Sequence, residues 1–192
     1  VNNMQSVYFL RDCREGNLTQ KIADNCLMCG RCEQRCPVGI DLNTIRLNRR
    51  QGSVPRTGLN PYGYASQIDT SKGSGKVGYF AGCMTSLSPR ILHSMERIFK
   101  SADEHVWWAD RDGVICCGRP LMLAGDADGA QKMMQFNTEL FLKHQIETLV
   151  TSCPICLKVF KEEYKLQGIR VLHHSEYIAE LIAQKRLQLE KG

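Results

Sequence analysis

Beyond residue 76, apolar positions along the chain switch repeatedly between a strand period and a helix period. Val77 to Ala81 is a short apolar run. Behind it, Ser88-Pro89 offers an N-cap and a proline for the first helical position, and Ile91, Leu92, Met95, Ile98 and Phe99 recur on one helical face. His105 to Ala109 reads as a second strand, on which Trp107 and Trp108 point to opposite faces, one to the core and the other to an interface or over a cluster. A long helix is predicted from near Asp126 to Gln145, with Met133, Met134, Phe136, Leu140 and Phe141 turned inward. A strand from Glu147 to Ser152, a helix from Ile155 to Leu166, a strand from Ile169 to Leu172 and a helix from Ser175 to Gln188 complete the series; Tyr177, Ile178, Leu181 and Ile182 mark the last apolar face. Strand and helix alternate throughout. This order predicts a mostly parallel sheet flanked by helices, with ligands gathered beyond the carboxyl ends of the strands.

The first part of the chain has a different texture. Val7, Leu10 and Arg14, then Leu18, Ile22 and Ala23, suggest two short helices broken at Gly16. Asp41 is a good N-cap for a helix through about Arg50, with Leu42, Ile45 and Leu47 inward. Arg46, Arg49 and Arg50, with Arg56, read as a solvated basic face or a docking patch for an acidic redox partner. Residues 51–76 are rich in Gly, Pro, Ser and Asn and lack periodicity, so they read as a linker. Within them Gly73-Ser-Gly-Lys76 lacks the spacing of a phosphate loop. The expected organisation is α+β overall: a small helical lobe over 1–50, a linker over 51–76 and an α/β domain over 77–192.

Composition narrows the chemistry. The chain has 192 residues, ten of them cysteine, and no basic-then-apolar leader pattern, so a metal or redox role is favoured over a disulfide framework. No apolar run approaches the length of a membrane span, which gives a cytoplasmic expectation with peripheral docking on a membrane partner left open. The formal charge of +5 counts the thiols as neutral, and ligation as thiolates would remove that excess. Nucleic acid is therefore not an expected partner.

Nine cysteines fall into two groups. Cys26-Leu-Met-Cys29-Gly-Arg-Cys32-Glu-Gln-Arg-Cys36-Pro37 is the C-x2-C-x2-C-x3-C-P run of bacterial ferredoxins, which wraps a 4Fe-4S cubane. Gly30 permits close approach of the backbone, and Pro37 turns the chain away. Two zinc knuckles would need wider separation. In two-cluster ferredoxins the fourth cysteine serves the other cluster, and only one such run is present. Either Cys36 closes the same cluster, or Cys13 or another chain supplies a ligand, or a first run lies upstream. Cys13 otherwise reads as a buried thiol acting as a small apolar residue.

The second group is Cys83, Cys116-Cys117-Gly118 and Cys153-Pro-Ile-Cys156. A structural zinc closes with four ligands and leaves one thiol over, whereas the irons of a cluster are spread out and each takes its own thiolate. Adjacent cysteines reach one site only through a sharp turn, which Gly118 permits. His173, His174 and Arg119 lie near this group as a candidate proton donor, cap or counter-charge, each with an ordinary structural alternative.

Val77-Gly-Tyr-Phe-Ala-Gly-Cys83, Cys116-Cys-Gly-Arg-Pro120, Val150-Thr-Ser-Cys-Pro-Ile-Cys156 and Val171-Leu-His-His-Ser-Glu176 together resemble the cysteine-rich CCG domain. That domain occurs in heterodisulfide reductase subunits and in the iron-sulfur subunits of glycolate, lactate and anaerobic glycerol-3-phosphate oxidation. Asp24 to Ile40 is similar to the second ferredoxin motif of the latter subunits. The resemblance implies a noncubane 4Fe-4S cluster on Cys83, Cys116, Cys117, Cys153 and Cys156, with zinc as the alternative known from degenerate relatives. It implies an electron-transfer subunit, partnered by a flavoprotein or a second iron-sulfur subunit, whose second cluster takes part in cleaving a disulfide. The other readings are a relay to quinone for a flavin dehydrogenase, and a zinc-stabilised interaction module.

Overall fold

The computed structural model describes residues 23–51, 69–109 and 115–188. The helical patterns expected before Ala23, Cys13 among them, lie outside the described residues, as do Arg56 and most of the expected linker. By contact the chain falls into two compact units: residues 1–60 with 120–130, and residues 61–119 with 131–192.

In the first unit, α1 (Leu42–Gln51) starts behind Asp41, whose carboxylate accepts the Thr44 amide at 2.9 Å. The Thr44 hydroxyl and amide hold the Asp41 carboxyl below its usual range. Leu42 is fully buried and packs with Ile40, Ile45 and Cys32. Of the basic face expected here, Arg49 alone is exposed among the described residues, because Arg46 is 1% exposed and Arg50 8%. Both lie one and two turns beyond Leu42, on the buried stripe rather than opposite it. Gly125 has a φ of +84°, and a Cβ there would stand 2.6 Å from the Arg50 carbonyl carbon.

The second unit is built on four parallel strands, β1 (Val77–Phe80), β2 (Val106–Trp108), β3 (Thr148–Thr151) and β4 (Arg170–His173). They lie in the order β2-β1-β3-β4, with Tyr79 level with both Trp108 and Val150. Because helices cover both faces, the two central strands are buried at consecutive positions rather than alternate ones. On one face Tyr79, Val106 and Val150 pack with Met95 and Phe99 of α3 (Pro89–Ser101) and Tyr177 and Leu181 of α7 (His174–Ala183). On the other, Phe80 meets Phe141 of α5 (Ala127–Lys143) and Phe160 of α6 (Pro154–Glu162) edge to face. The short helix α2 (Cys83–Ser86) completes this unit, and α4 (Arg119–Ala124) falls in the first unit from Pro120 onward.

The tryptophans do diverge, but both are structural. Trp107 is fully buried and stacks on His144, while the half-buried Trp108 packs against Tyr79 and Phe99. The end of the expected linker adds a rung outside β2, where Lys72 pairs with Trp108. Gly73 and Gly75 are required there: a Cβ on either would fall within 2.5 Å of a β2-side carbonyl oxygen. Their role is close backbone approach, in keeping with the rejected phosphate loop.

Candidate metal centre

The five later cysteines all belong to the second unit and sit just past strand ends. β1 runs out at Gly82, whose φ of 83° aims Cys83 into the first turn of α2. β3 runs out at Thr151, and Cys153 becomes the N-cap of α6 with Pro154 behind it. The Cys153 amide is held by the Thr151 hydroxyl at 3.3 Å, and Cys156 follows one turn into the helix. Cys116 and Cys117 are 1% and 3% exposed, and Gly118, at a φ of 88°, turns the chain directly after them. Gly82 is a cradle for the set: a Cβ there would stand 2.9 Å from the Cys156 sulfur and 3.2 Å from the Cys153 Cβ.

The thiols form a string of neighbours. Cys83 donates toward Cys116, Cys116 toward Cys117, and Cys156 toward both Cys117 and Cys153. Donating to a neighbouring sulfur, reinforced by burial, pushes the Cys83 and Cys156 thiols far above the ordinary thiol value. The Cys117 thiol, receiving from Cys116 and Cys156 and from the Arg119 amide, is driven well below it. Cys153, receiving from Cys156 and from the amides of Cys156 and Ile155, falls from 9.0 to about 6. The shifts thus favour the thiolate at Cys117 and Cys153 and the thiol at Cys83 and Cys156. Five thiolates this close repel one another, and bound cations are what stabilise them together.

Among the described residues, no three histidine, cysteine, aspartate or glutamate side chains gather as they would around one ion. A tetrahedral zinc needs four ligands converging on one point, each about 2.3 Å from the metal for sulfur. A series of soft donors from three chain segments, all but Cys83 buried, fits a group of several irons, each taking its own thiolate.

The turn carrying Cys116 and Cys117 is held from behind. Asn137 Nδ2 donates to the Cys116 carbonyl and to Tyr164 Oη, each at 2.8 Å, and Tyr164 Oη donates to the Cys117 carbonyl at 3.1 Å. His173 caps α7: its ring accepts from the Ser175 amide while Glu176 accepts the His173 amide. Its other ring nitrogen meets the Ser152 carbonyl at 3.3 Å, and the His174 ring lies 4.2 Å from its own. Burial lowers the His174 pKa.

In the first unit, Cys26 to Cys36 follow an irregular path with positive φ at Met28 and Gly30. Cys26 is buried, Cys29 exposed, and Cys32 and Cys36 lie between. The Met28 amide donates to the Cys26 sulfur and the Ile40 amide to the Cys36 sulfur, both at 3.4 Å. The Ile40 amide, then that of Val38, lowers the Cys36 thiol below its ordinary range. Arg46 Nη1 donates to the Cys32 sulfur at 3.0 Å. Arg50 binds the carbonyls of Ala23, Asp24, Cys26 and Leu123 and so anchors the start of the loop. Glu33 accepts the amide and side chain of Asn43, tying the loop to α1. Sulfurs facing amides and a buried cation suit an anionic iron-sulfur group.

Arg46, Arg50, Asn137 and Tyr164 were not legible as site residues, although the spacing of Leu42, Arg46 and Arg50 on one stripe carried a signal.

Residues 77–161 match the CCG cysteine-rich domain, and all five cysteines of the second group fall inside the match. The chain is similar to a fumarate reductase (CoM/CoB) component from Methanothermobacter marburgensis, 24% identical over 183 residues, covering 82% of this chain and 36% of the relative. It is similar to a component of the dihydromethanophenazine:CoB–CoM heterodisulfide reductase from Methanosarcina mazei, 23% identical over 209 residues, covering 87% and 49%. An uncharacterized iron-sulfur protein of Methanococcus maripaludis is 23% identical over 185 residues, covering 82% and 37%. The chain thus spans between about a third and a half of the length of these relatives. No solved structure matches it. Family, relatives and donor set agree on iron-sulfur binding. Among the described residues, no helix is long and apolar enough to cross a membrane.

Proposed function

We propose that this chain is an iron-sulfur electron-transfer subunit, or part of one, in a heterodisulfide-reductase-like complex. Cys26, Cys29, Cys32 and Cys36 hold a 4Fe-4S cubane, and Cys83, Cys116, Cys117, Cys153 and Cys156 hold a noncubane 4Fe-4S cluster. The set of five neighbouring thiols carries this reading, because it supplies one donor more than zinc uses. When bound, such clusters accept and release electrons one at a time. The protein's part is to position thiolates, exclude water from Cys116, Cys117 and Cys156, and stabilise sulfur charge with Arg46 and backbone amides. A flavoprotein or second iron-sulfur subunit would exchange electrons with the chain, and a disulfide is the proposed substrate of the complex. The relatives' names, which are those of reductase subunits and in one case of a heterodisulfide reductase, support a partner subunit and a disulfide substrate.

Metal analysis and electron paramagnetic resonance of anaerobically purified protein test the reading. Two distinct iron-sulfur signals are expected, and Cys117→Ser should abolish one and leave the other. One iron-sulfur signal with stoichiometric zinc would assign the later cysteines to an interaction module instead.

A further inference from the structure

We infer that Asn137 and Tyr164 are positioning residues that preset the vicinal cysteine turn for its ligand. The inference rests on the cluster assignment above and extends it beyond the cysteines. Both side chains are buried, Asn137 completely and Tyr164 to within 6%. Their donors form a closed account. Asn137 spends its two N–H groups on the Cys116 carbonyl and on Tyr164 Oη, and Tyr164 passes its own proton to the Cys117 carbonyl. The amide orientation is fixed by this chain, since the reverse would set Asn137 Oδ1 against a carbonyl oxygen. In the observed orientation Oδ1 has no hydrogen-bond partner among the described residues, although it is buried. Asn137 is thus kept at a buried position for its donors.

The consequence is directional. Two successive carbonyls are drawn toward α5 and the end of α6, and Gly118 then lets the chain reverse at a φ of 88°. Neighbouring side chains on extended backbone point apart, so this fixed turn is what keeps two adjacent sulfurs in one string. It also keeps two negative carbonyl ends from swinging toward a group of thiolates. Phe in place of Tyr164 would leave the buried Cys117 carbonyl without this donor.

The test uses the full chain, anaerobically purified, as wild type, Tyr164→Phe, Asn137→Asp and Met133→Ala. Tyr164→Phe removes one hydroxyl, and Asn137→Asp keeps the shape while reducing two N–H donors to at most the single proton of a buried carboxylic acid. Met133 is a buried core residue one turn earlier on α5 and serves as the control for packing loss. Both donor variants should displace the g-values and midpoint potential of the signal abolished by Cys117→Ser, while the other signal stays in place. Met133→Ala should lower the thermal midpoint and leave both signals unmoved. A second arm needs no cluster: in metal-free, reduced protein, Cys116 and Cys117 should be alkylated about fivefold faster in the donor variants than in Met133→Ala, the factor set by one lost hydrogen bond. Unmoved signals with equal alkylation rates overturn the inference, as does a spectral change in Met133→Ala matching that of Tyr164→Phe. Absence of a second iron-sulfur signal in wild type would instead sink the functional reading, and the alkylation arm would still decide this one. Should Asn137→Asp not fold, Tyr164→Phe alone carries both arms.

Discussion

Arg46 donates Nη1 to the sulfur of Cys32 at 3.0 Å from a side chain that is 1% exposed. A buried guanidinium against a thiolate favours the more negative state of whatever that thiolate binds. Replacing it with methionine keeps the packing of the stem and removes the charge. Arg46→Met should lower the midpoint potential of the cubane proposed at Cys26 to Cys36 by about 60 mV, the equivalent of about 1.4 kcal/mol for one electron. Redox titration monitored by electron paramagnetic resonance checks this, and an unchanged potential would show that the Arg46 contact does not reach the redox centre.

Gly82 should tolerate no side chain. A Cβ would press on the Cys156 sulfur at 2.9 Å, and the backbone at φ 83° and ψ 148° belongs to a region essentially reserved for glycine, at a cost of about 1–3 kcal/mol for other residues. Gly82→Ala should lose the iron bound by the later cysteines and retain that of the ferredoxin run. Iron content per chain, read with the spectra, gives the answer.

Arg50 anchors the ferredoxin loop through four backbone carbonyls. Arg50→Ala leaves several of them buried without a donor, for a loss of about 3 kcal/mol. Cluster incorporation at Cys26 to Cys36 should fail first, with the sheet of the second unit preserved in circular dichroism. Arg50→Lys should restore little, because a single ammonium cannot reproduce the fork.

In metal-free, reduced protein the later cysteines set a pH dependence of definite sign. Cys153 has a folded value of about 6 against 9.0 unfolded, so its contribution is complete above pH 9 and lost as pH falls through 6. Cys117 is shifted in the same direction. Cys83 and Cys156 are shifted upward, so their contribution is present below pH 9 and lost as pH rises through their folded values. Urea midpoints should therefore rise from pH 6 to 9 and fall beyond. Cys153→Ser should flatten the rising limb; a rise that persists unchanged would assign it to other groups.

Periodicity and cysteine spacing made the sheet and both cysteine groups legible. The strand expected over His105 to Ala109 forms as Val106–Trp108, and the proline after Ser88 opens a helix as anticipated. Buried polar residues were illegible for a physical reason. Arg50 and Asn137 are inside because backbone carbonyls from distant segments await their donors, and carbonyls leave no mark in a hydropathy pattern. The last helix, expected through Gln188, stops at Ala183, and Lys185 takes a positive φ of 59° soon after. No glycine or proline marks that end, so side-chain identity gave no warning.

Cys26 through Cys36 share one short loop, whereas Cys83, the Cys116-Cys117 pair and Cys153 with Cys156 meet only once β1 and β3 have paired. A chain emerging from the ribosome would therefore present the proposed ferredoxin-type ligands to an iron donor early. The later five would become a receptor only after long-range strand pairing, so the topology itself would stagger maturation of the two proposed sites in time.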